Sequence, residues 1–184
     1  MISRFLPAAA GLALSLGVIP AAQAQGSLFT TLPVDTSKFV LVSAPIGNGE
    51  RSQLNIYEQR SDKRSCFAVG AGAPAVVDPL LASFDFTGIC NRYIDGNGYS
   101  LRIGGDDLGT RYRLTVVNTG SDMELLAAPT RDRSQPTYVI AKTGGAGSGF
   151  LAGSAGDGIE VGESAPEVAG LKLTDGFGHG PKFG

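Results

Sequence analysis

Four aspartates in the middle of the sequence come nearest, by type and spacing, to catalytic chemistry: Asp85, Asp95, Asp106 and Asp107. Two carboxyl groups held about 5 to 9 Å apart, one protonated and the other ionised, can hydrolyse glycosidic bonds. Turn formation accounts for three of them equally well, because Asp95 lies in an Asp-Gly-Asn-Gly motif and Asp106 and Asp107 follow two glycines. A glycan hydrolase with paired aspartates is therefore one hypothesis, and it requires two of these carboxyl groups to be close in space.

The same region partly matches a helix–loop–helix calcium loop. Asp95 and Asn97 occupy its first two ligand positions, and Asp106 occupies the twelfth. The match fails between them, because Tyr99 takes the fifth position and Ser100 replaces the required glycine at the sixth. We therefore assign no metal ligands. A weak surface site for a cation stays open as an alternative, with oxygen ligands from Asp95, Asn97, Asp106 and Asp107.

Tyrosines offer a second alternative for this region, namely a glycan site. The candidates are Tyr93, Tyr99, Tyr112 and Tyr138. An exposed ring can stack on the apolar face of a sugar, and Tyr99 lies close in sequence to the aspartates. Tyrosines in strands are more often half-buried packing residues whose hydroxyl finds a partner.

Other kinds of site have little support. His179, the only histidine, lies between glycines, whereas a general base needs a rigid surround and a multi-histidine metal site needs more than one such residue. The glycine run at residues 144–149 lacks the lysine and the following helix of a phosphate-binding loop. A net charge of -2 removes the electrostatic basis for binding nucleic acid. We expect no cofactor and no nucleic-acid partner.

Cys66 and Cys90 are the only cysteines. Their spacing differs from the C-x-x-C of redox pairs, and a zinc site would need two more ligands, which a single histidine cannot supply. In an oxidising compartment a lone pair of thiols forms a disulfide. The sequence predicts a Cys66–Cys90 disulfide that closes a loop of about 25 residues.

The first 24 residues have the layout of a secretory signal peptide. Arg4 precedes an apolar run at residues 5–19, and Ala22-Gln23-Ala24 supplies the small residues of a cleavage site. The run is shorter than the ~20 residues that span a membrane. We expect cleavage after Ala24, a mature chain that begins at Gln25 and has no transmembrane segment, and a location in the periplasm or outside the cell.

Composition changes once more, near residue 143. Acids and bases balance in residues 25–142, whereas residues 143–184 are rich in glycine and contain more acids than bases. Glycine costs much backbone entropy to order and offers no side chain to offset it. We expect a signal peptide at 1–24, a β domain at 25–142 and a weakly ordered acidic tail at 143–184, with one short strand near residues 171–174.

The mature chain has the patterns of short strands. The continuous apolar run at residues 39–42 and the alternating residues 52–58 flank a glycine turn, which predicts a hairpin. Residues 89–94 and 99–103 flank Asn97-Gly98, a step typical of hairpin turns. Residues 111–117 and 124–128 form a third such pair.

One segment interrupts the strands, because Asp78 and Pro79 are suited to begin a helical turn. The sequence therefore predicts an all-β fold, an antiparallel sandwich or small barrel of about eight short strands with one helical turn.

Six ordered segments carry a resemblance to a known family: VDTSKFVLVSAP, SCFAV, PAVVDPLL, FDFTGIC, DGNGYSLR and GDDLGTRYRL. Together they resemble a family of exported cyanobacterial proteins catalogued as a domain of unknown function, over about residues 33–151. The resemblance implies export and implies that both cysteines belong to the family pattern. It implies no activity.

The leading expectation for function is an exported, non-catalytic β domain that binds a ligand or has a structural role in the cell envelope. Its partner would be an envelope glycan or another envelope protein. The alternative is a secreted hydrolase that acts on glycans through two of the four aspartates.

Overall fold

The computed structural model describes residues 31–94, 98–103, 106–156, 159–164 and 171–175. Within these ranges the regular secondary structure is β-strand except for two 3₁₀ turns. The strands are β1 (Thr31–Pro33), β2 (Phe39–Ile46), β3 (Arg51–Gln59), β4 (Ala68–Val69), β5 (Val77–Asp78), β6 (Cys90–Tyr93), β7 (Tyr99–Ile103), β8 (Asp106–Asp107), β9 (Tyr112–Asn118), β10 (Met123–Pro129), β11 (Tyr138–Lys142), β12 (Leu151–Ala155), β13 (Ile159–Ser164) and β14 (Leu171–Asp175).

Seven of these fourteen strands form one antiparallel sheet, in the order β6-β3-β2-β12-β11-β10-β9. A second sheet has the order β1-β13-β14-β7-β8 and contains one parallel pair, β14 with β7. The ribbon β4-β5 forms a third, small sheet. Strand β9, at one edge of the large sheet, lies against β3 near the other edge, so the sheet curls. The predicted all-β, mainly antiparallel fold is confirmed.

The concave side of the curled sheet holds the first core cluster. Leu54 and Ile56 of β3, Leu125 of β10 and Ile140 of β11 pack there. Leu101 of β7 belongs to the same cluster, so the second sheet covers this face. Burying such aliphatic side chains stabilises the fold by about 1.5–3 kcal/mol each.

A second core cluster lies on the opposite face of β2 and β3. Val40 and Val42 of β2 and Tyr57 of β3 meet the segment at residues 66–90, which contributes Val77 and Leu81. Strand β2 is thus buried on both faces, since Leu41 belongs to the first cluster. This double burial explains why β2 has a continuous apolar run rather than an alternating pattern.

Two of the predicted hairpins are present. Strands β2 and β3 pair from Phe39↔Glu58 to Ile46↔Arg51. Strands β9 and β10 pair along their whole length, beginning at Met123↔Asn118 beside the turn. In the β2–β3 turn Gly47 and Gly49 have φ values of 62° and 88°, which explains the need for glycine there.

The predicted hairpin around Asn97-Gly98 is wrong. Strand β6 pairs with β3 in the large sheet, whereas β7 pairs with β14 and β8 in the second sheet. The turn itself, at residues 95–97, lies outside the described residues. The sequence pattern marked both strands correctly, but β6 pairs with β3 and β7 with β14, and both of these partners lie far away in sequence.

The predicted helical turn is present as a 3₁₀ turn at Leu80–Ser83, although its start differs from the prediction. Pro79 is the N-cap residue and makes no side-chain capping bond, while Asp78 belongs to β5. A second 3₁₀ turn, at Thr36–Lys38, was not predicted. There the carboxylate of Asp35 accepts a hydrogen bond from the Ser37 N–H and caps the turn.

The structure differs from the predicted boundary at residue 142. Strand β12 lies inside the large sheet between β2 and β11, and its Leu151 is buried. Residues 143–156 therefore belong to the β domain. The predicted short strand near residues 171–174 corresponds to β14, which pairs with β13 and β7. His179 lies outside the described residues.

Asp122 joins the body of the domain to the glycine-rich segment. Its Oδ1 accepts hydrogen bonds from the Met123 N–H at 2.8 Å and the Thr143 N–H at 3.1 Å, and lies 2.8 Å from the Thr143 hydroxyl. Burial by itself raises the pKa of Asp122, but the hydrogen bonds from Thr143, Gly145 and Met123 outweigh it and hold the pKa below the ordinary value.

This arrangement predicts a loss of stability in acid. Because the pKa of Asp122 is lower in the folded chain than in the unfolded one, its carboxylate stabilises the fold above about pH 4, and the contribution disappears as the pH falls through the folded pKa. We expect Asp122→Asn to lower the free energy of unfolding by about 1–2 kcal/mol at pH 7 and by much less near pH 2, in urea titrations at each pH.

The matched control is Asp62→Asn, since Asp62 is exposed and its side chain makes no hydrogen bond among the described residues. The control should equal the unmodified chain at both pH values. An Asp122→Asn deficit of the same size at pH 2 and pH 7 would contradict the role given to the carboxylate.

Candidate functional site

The predicted aspartates are not brought together where the structure describes them. Asp106 and Asp107 are consecutive in β8, so their side chains project to opposite faces of the strand. Asp106 lies 3.8 Å from the guanidinium of Arg111, and Asp107 accepts a hydrogen bond of 2.9 Å from the Gly109 N–H. Both carboxylates thus have structural partners. Asp95 and Asn97 lie outside the described residues.

Asp85 lies on the other side of the large sheet. Its neighbours Phe84 and Phe86 pack against the second core cluster, whereas β7, the partner of β8, covers the first. The Asp85 carboxylate accepts hydrogen bonds from the Thr87 hydroxyl at 2.7 Å and the Thr87 N–H at 3.1 Å, which lower its pKa. The large sheet thus lies between Asp85 and the two aspartates of β8.

The described members of the candidate metal and glycan site make other contacts. Across the described part of the chain, no group of three or more His, Cys, Asp or Glu residues is arranged to hold a metal ion. Tyr99 packs against the first core cluster, and its hydroxyl lies 3.4 Å from the Leu54 carbonyl oxygen. Tyr93 is likewise half-buried against the same cluster. Both tyrosines are packing residues here.

Cys66 and Cys90 fit the predicted disulfide. Their sulfur atoms are 2.05 Å apart and both residues are buried in the second core cluster. The Cys66 N–H also donates to the side-chain oxygen of Gln59 at 2.8 Å. The pair therefore fastens the covering segment to the end of β3 and to β6, and its role is structural.

Another concavity lies at the end of the β9–β10 hairpin away from its turn. It has a volume of about 360 Å³, within the usual range for small-molecule sites. The lining residues that bear on its chemistry are Arg111, Tyr112, Thr130, Arg131, Asp132 and Gln135. We call this feature the arginine pocket.

Hairpin register positions the two arginines of this pocket. Tyr112 opposes Pro129 at the last rung of the β9–β10 ladder. Beyond it the Thr130 N–H donates to the Arg111 carbonyl oxygen at 2.9 Å, and the Thr130 hydroxyl lies 3.1 Å from the same oxygen. The paired backbone thus continues past the strands and places Arg111 and Arg131 on neighbouring chain segments.

The loop that follows β10 is organised by Asp132. The Ser134 hydroxyl and N–H donate to Asp132 Oδ1 at 2.6 and 3.0 Å, and the Gln135 side-chain amide donates to Oδ2 at 3.1 Å. These hydrogen bonds hold the pKa of Asp132 below its ordinary value, and the bond from the Ser134 hydroxyl has the largest effect. The carboxylate is therefore ionised at neutral pH and sits in a fixed loop.

An aromatic pair borders the pocket. The rings of Tyr112 and Tyr138 have centroids 5.5 Å apart and are tilted by 32°. Burial, followed by a hydrogen bond with Tyr138, raises the pKa of Tyr112. The Tyr112 phenol is therefore neutral at physiological pH and offers a ring edge or face together with a hydroxyl.

Sequence reasoning did not single out the arginine pocket, although a signal for it was present. The sequence pairs residues 111–117 with 124–128, and counting outward along this hairpin from Asn118↔Met123 brings residue 111 opposite residue 130. Arg111 and Arg131 thereby become neighbours although they are far apart in sequence. Two of the candidate sugar-stacking tyrosines lie here. Tyr112 lines the pocket, and the Tyr138 ring contacts the Tyr112 ring.

A second cavity, of about 20 Å³, lies within the first core cluster among Leu41, Leu54 and Leu125. It has room for about one water molecule. The described residues contain no helix long and apolar enough to cross a membrane.

Comparison with known proteins gives one family. No curated protein and no solved structure matches the chain. A family model described as "Protein of unknown function (DUF3747)" matches residues 6–154, a span that includes the arginine pocket and both cysteines and ends within β12. Because the match covers most of the sequence, the chain belongs to the DUF3747 family of proteins of unknown function.

Proposed function

We propose that this chain is an exported, non-catalytic binding domain and that the arginine pocket holds its ligand. The observation that carries the proposal is the pocket itself, a concavity of about 360 Å³ lined by charged, amide, hydroxyl and aromatic groups. Converging polar groups of fixed geometry in a pocket of this size are typical of ligand sites. Backbone pairing joins the two chain segments that line the pocket, and Ser134 and Gln135 hold the Asp132 carboxylate before any ligand arrives.

Binding without hydrolysis is favoured by the number of carboxylates. A glycosidase needs two carboxyl groups in different protonation states. Among the residues that line the pocket, Asp132 is the one acid, and its lowered pKa keeps it ionised rather than available as a general acid. Asp85 lies on the opposite side of the large sheet from Asp106 and Asp107.

Export is supported by the N-terminal pattern and by the cysteine pair. Residues 1–24 have the charge, apolar run and small residues of a cleaved signal, and we propose that the mature chain begins at Gln25. A buried pair of cysteines at bonding distance is compatible with an oxidising compartment such as the periplasm or the exterior. In that setting an envelope glycan or an envelope protein is the expected class of partner.

The proposal is tested by filling the pocket. Thr110 lines the pocket and is exposed, so Thr110→Trp should occupy part of its volume without disturbing the core. We expect ligands found in an envelope-glycan array to bind the unmodified chain and to bind Thr110→Trp at least about tenfold more weakly. Mass spectrometry of the ligands should show them chemically unchanged after incubation.

Thr36→Trp is the matched control, because Thr36 is exposed on a 3₁₀ turn and does not line the pocket. It should bind like the unmodified chain. Equal binding by the Thr110→Trp variant would remove the pocket from the function. Shortened glycans in the incubation would instead favour the hydrolase, and Asp85→Asn, Asp106→Asn and Asp107→Asn would identify its acids.

A further inference from the structure

The charged side chains of the arginine pocket differ in whether a hydrogen bond or an ion pair holds them in place. Arg131 is exposed, and its guanidinium makes no ion pair or hydrogen bond with any described residue. The Arg111 guanidinium lies 3.8 Å from Asp106, with the two side chains 61% and 71% exposed. Such a surface pair contributes about 0–1 kcal/mol, so a ligand can replace it at little cost. Two cationic groups are thus available to an incoming anion.

Asp132 limits which anions the pocket accepts. Its carboxylate stays in the pocket, because Ser134 and Gln135 bind it there, and it repels a ligand that carries negative charge alone. Each carboxylate oxygen has more than one acceptor site, so Asp132 can still accept a hydrogen bond from a hydroxyl group. The best ligand therefore brings a carboxylate for the arginines and hydroxyl donors for Asp132.

Tyr112 and Gln135 supply the other groups of the pocket that can contact a ligand. The Tyr112 ring borders the pocket and is held by Tyr138, so it can pack against C–H groups of a sugar ring without losing side-chain freedom. The Gln135 amide, oriented by Asp132, adds a carbonyl acceptor for a further hydroxyl. A ring that bears several hydroxyl groups fits this arrangement. Its C–H groups can make the apolar contact, and its hydroxyls can bond to the planar, bidentate polar side chains.

We infer that the arginine pocket binds a sugar acid, a hydroxylated ring that bears a carboxylate, such as a uronic acid alone or within a polysaccharide. The carboxylate pairs with Arg131 and Arg111, the hydroxyls with Asp132 and Gln135, and the ring packs on Tyr112. This inference rests on the proposed function and specifies its ligand. Guanidinium is suited to the role, because its planar fork binds a carboxylate with two parallel hydrogen bonds.

The test is isothermal titration of the full mature chain with four probes: glucuronic acid, an oligogalacturonide, glucose and inorganic phosphate. We expect both uronates to bind at least about tenfold more tightly than glucose and phosphate. Tighter binding of the oligomer than of the monomer would assign a polysaccharide as the source, and equal binding would assign a free sugar acid. Either result supports the inference.

Variants locate the binding. Arg131→Gln should weaken uronate binding about ten- to hundredfold, since it removes a charged hydrogen-bond donor. Arg133→Gln is the matched control, because Arg133 is exposed two residues away and does not line the pocket. It should change affinity by less than about twofold. Arg111→Gln offers a second variant, since its partner Asp106 is exposed and its loss should leave folding intact.

The outcomes separate this inference from the proposed function. Equal affinity for glucose and the uronates, or for phosphate and the uronates, would overturn the sugar-acid inference. So would uronate binding that Arg131→Gln leaves unchanged. If glucose binds and Thr110→Trp abolishes that binding, the pocket remains a ligand site of another specificity. If no array ligand is sensitive to Thr110→Trp, both proposals fail.

Discussion

Replacing Leu151 by alanine is expected to lower the free energy of unfolding by about 2–5 kcal/mol. Leu151 begins β12, is 2% exposed, and opposes Ser43 of β2, so its removal leaves a cavity at the middle of the large sheet. The loss would be large for a residue in a glycine-rich segment. Urea titration followed by circular dichroism measures it.

Val76→Ala is the matched control for this prediction. Val76 bridges to Leu151 through its backbone, but its side chain is 54% exposed. An exposed apolar residue of this kind changes stability by about 0.5 kcal/mol or less. Equal stabilities for Leu151→Ala and the unmodified chain would mean that the β domain ends before β12, as the composition alone had indicated.

Removing the disulfide is expected to cost about 3 kcal/mol. The loop between Cys66 and Cys90 has a sequence separation of 24, and opening it restores chain entropy to the unfolded state. We expect the Cys66→Ala/Cys90→Ala variant to show this loss in urea titrations. Strong reductant should impose a similar loss on the unmodified chain once it is unfolded, and none on the double variant.

A thiol count decides whether the bond is present at all. The mature chain, purified without reductant and denatured, should show no free thiol, because the chain has only these two cysteines. Two free thiols per chain would refute the disulfide, whatever the stability of the variant.

Local patterns predicted those parts of the fold that depend on neighbouring residues. The β2–β3 and β9–β10 hairpins combine alternating or apolar runs with turns of a few residues, so closing them costs little entropy. The pattern around Asn97-Gly98 has the same form, yet β6 and β7 enter different sheets. Their partners β3 and β14 lie far away in sequence, and no local signal reports such pairings.

The glycine-rich segment shows why composition misled. A Cβ atom at Gly145 would lie 2.7 Å from the Cδ of Pro74, and Gly145 has a φ of 153°. At Gly147 a Cβ atom would lie 3.1 Å from the Cγ of the same proline. Glycine is required at this contact because two backbone segments approach closely, and the sequence cannot distinguish that requirement from flexibility.

The sequence by itself determined an all-β class, two hairpins, the pairing of its only two cysteines and the features of an export signal, because each depends on local periodicity, turn chemistry or a simple count. The tertiary structure decided the place of β12, the separation of the aspartates and the formation of the arginine pocket. The arginine pocket forms where the backbone pairing of the β9–β10 hairpin continues past its strands. The place of β12 and the separation of the aspartates arise from strand pairing between distant residues, which is selected by total burial in two cores.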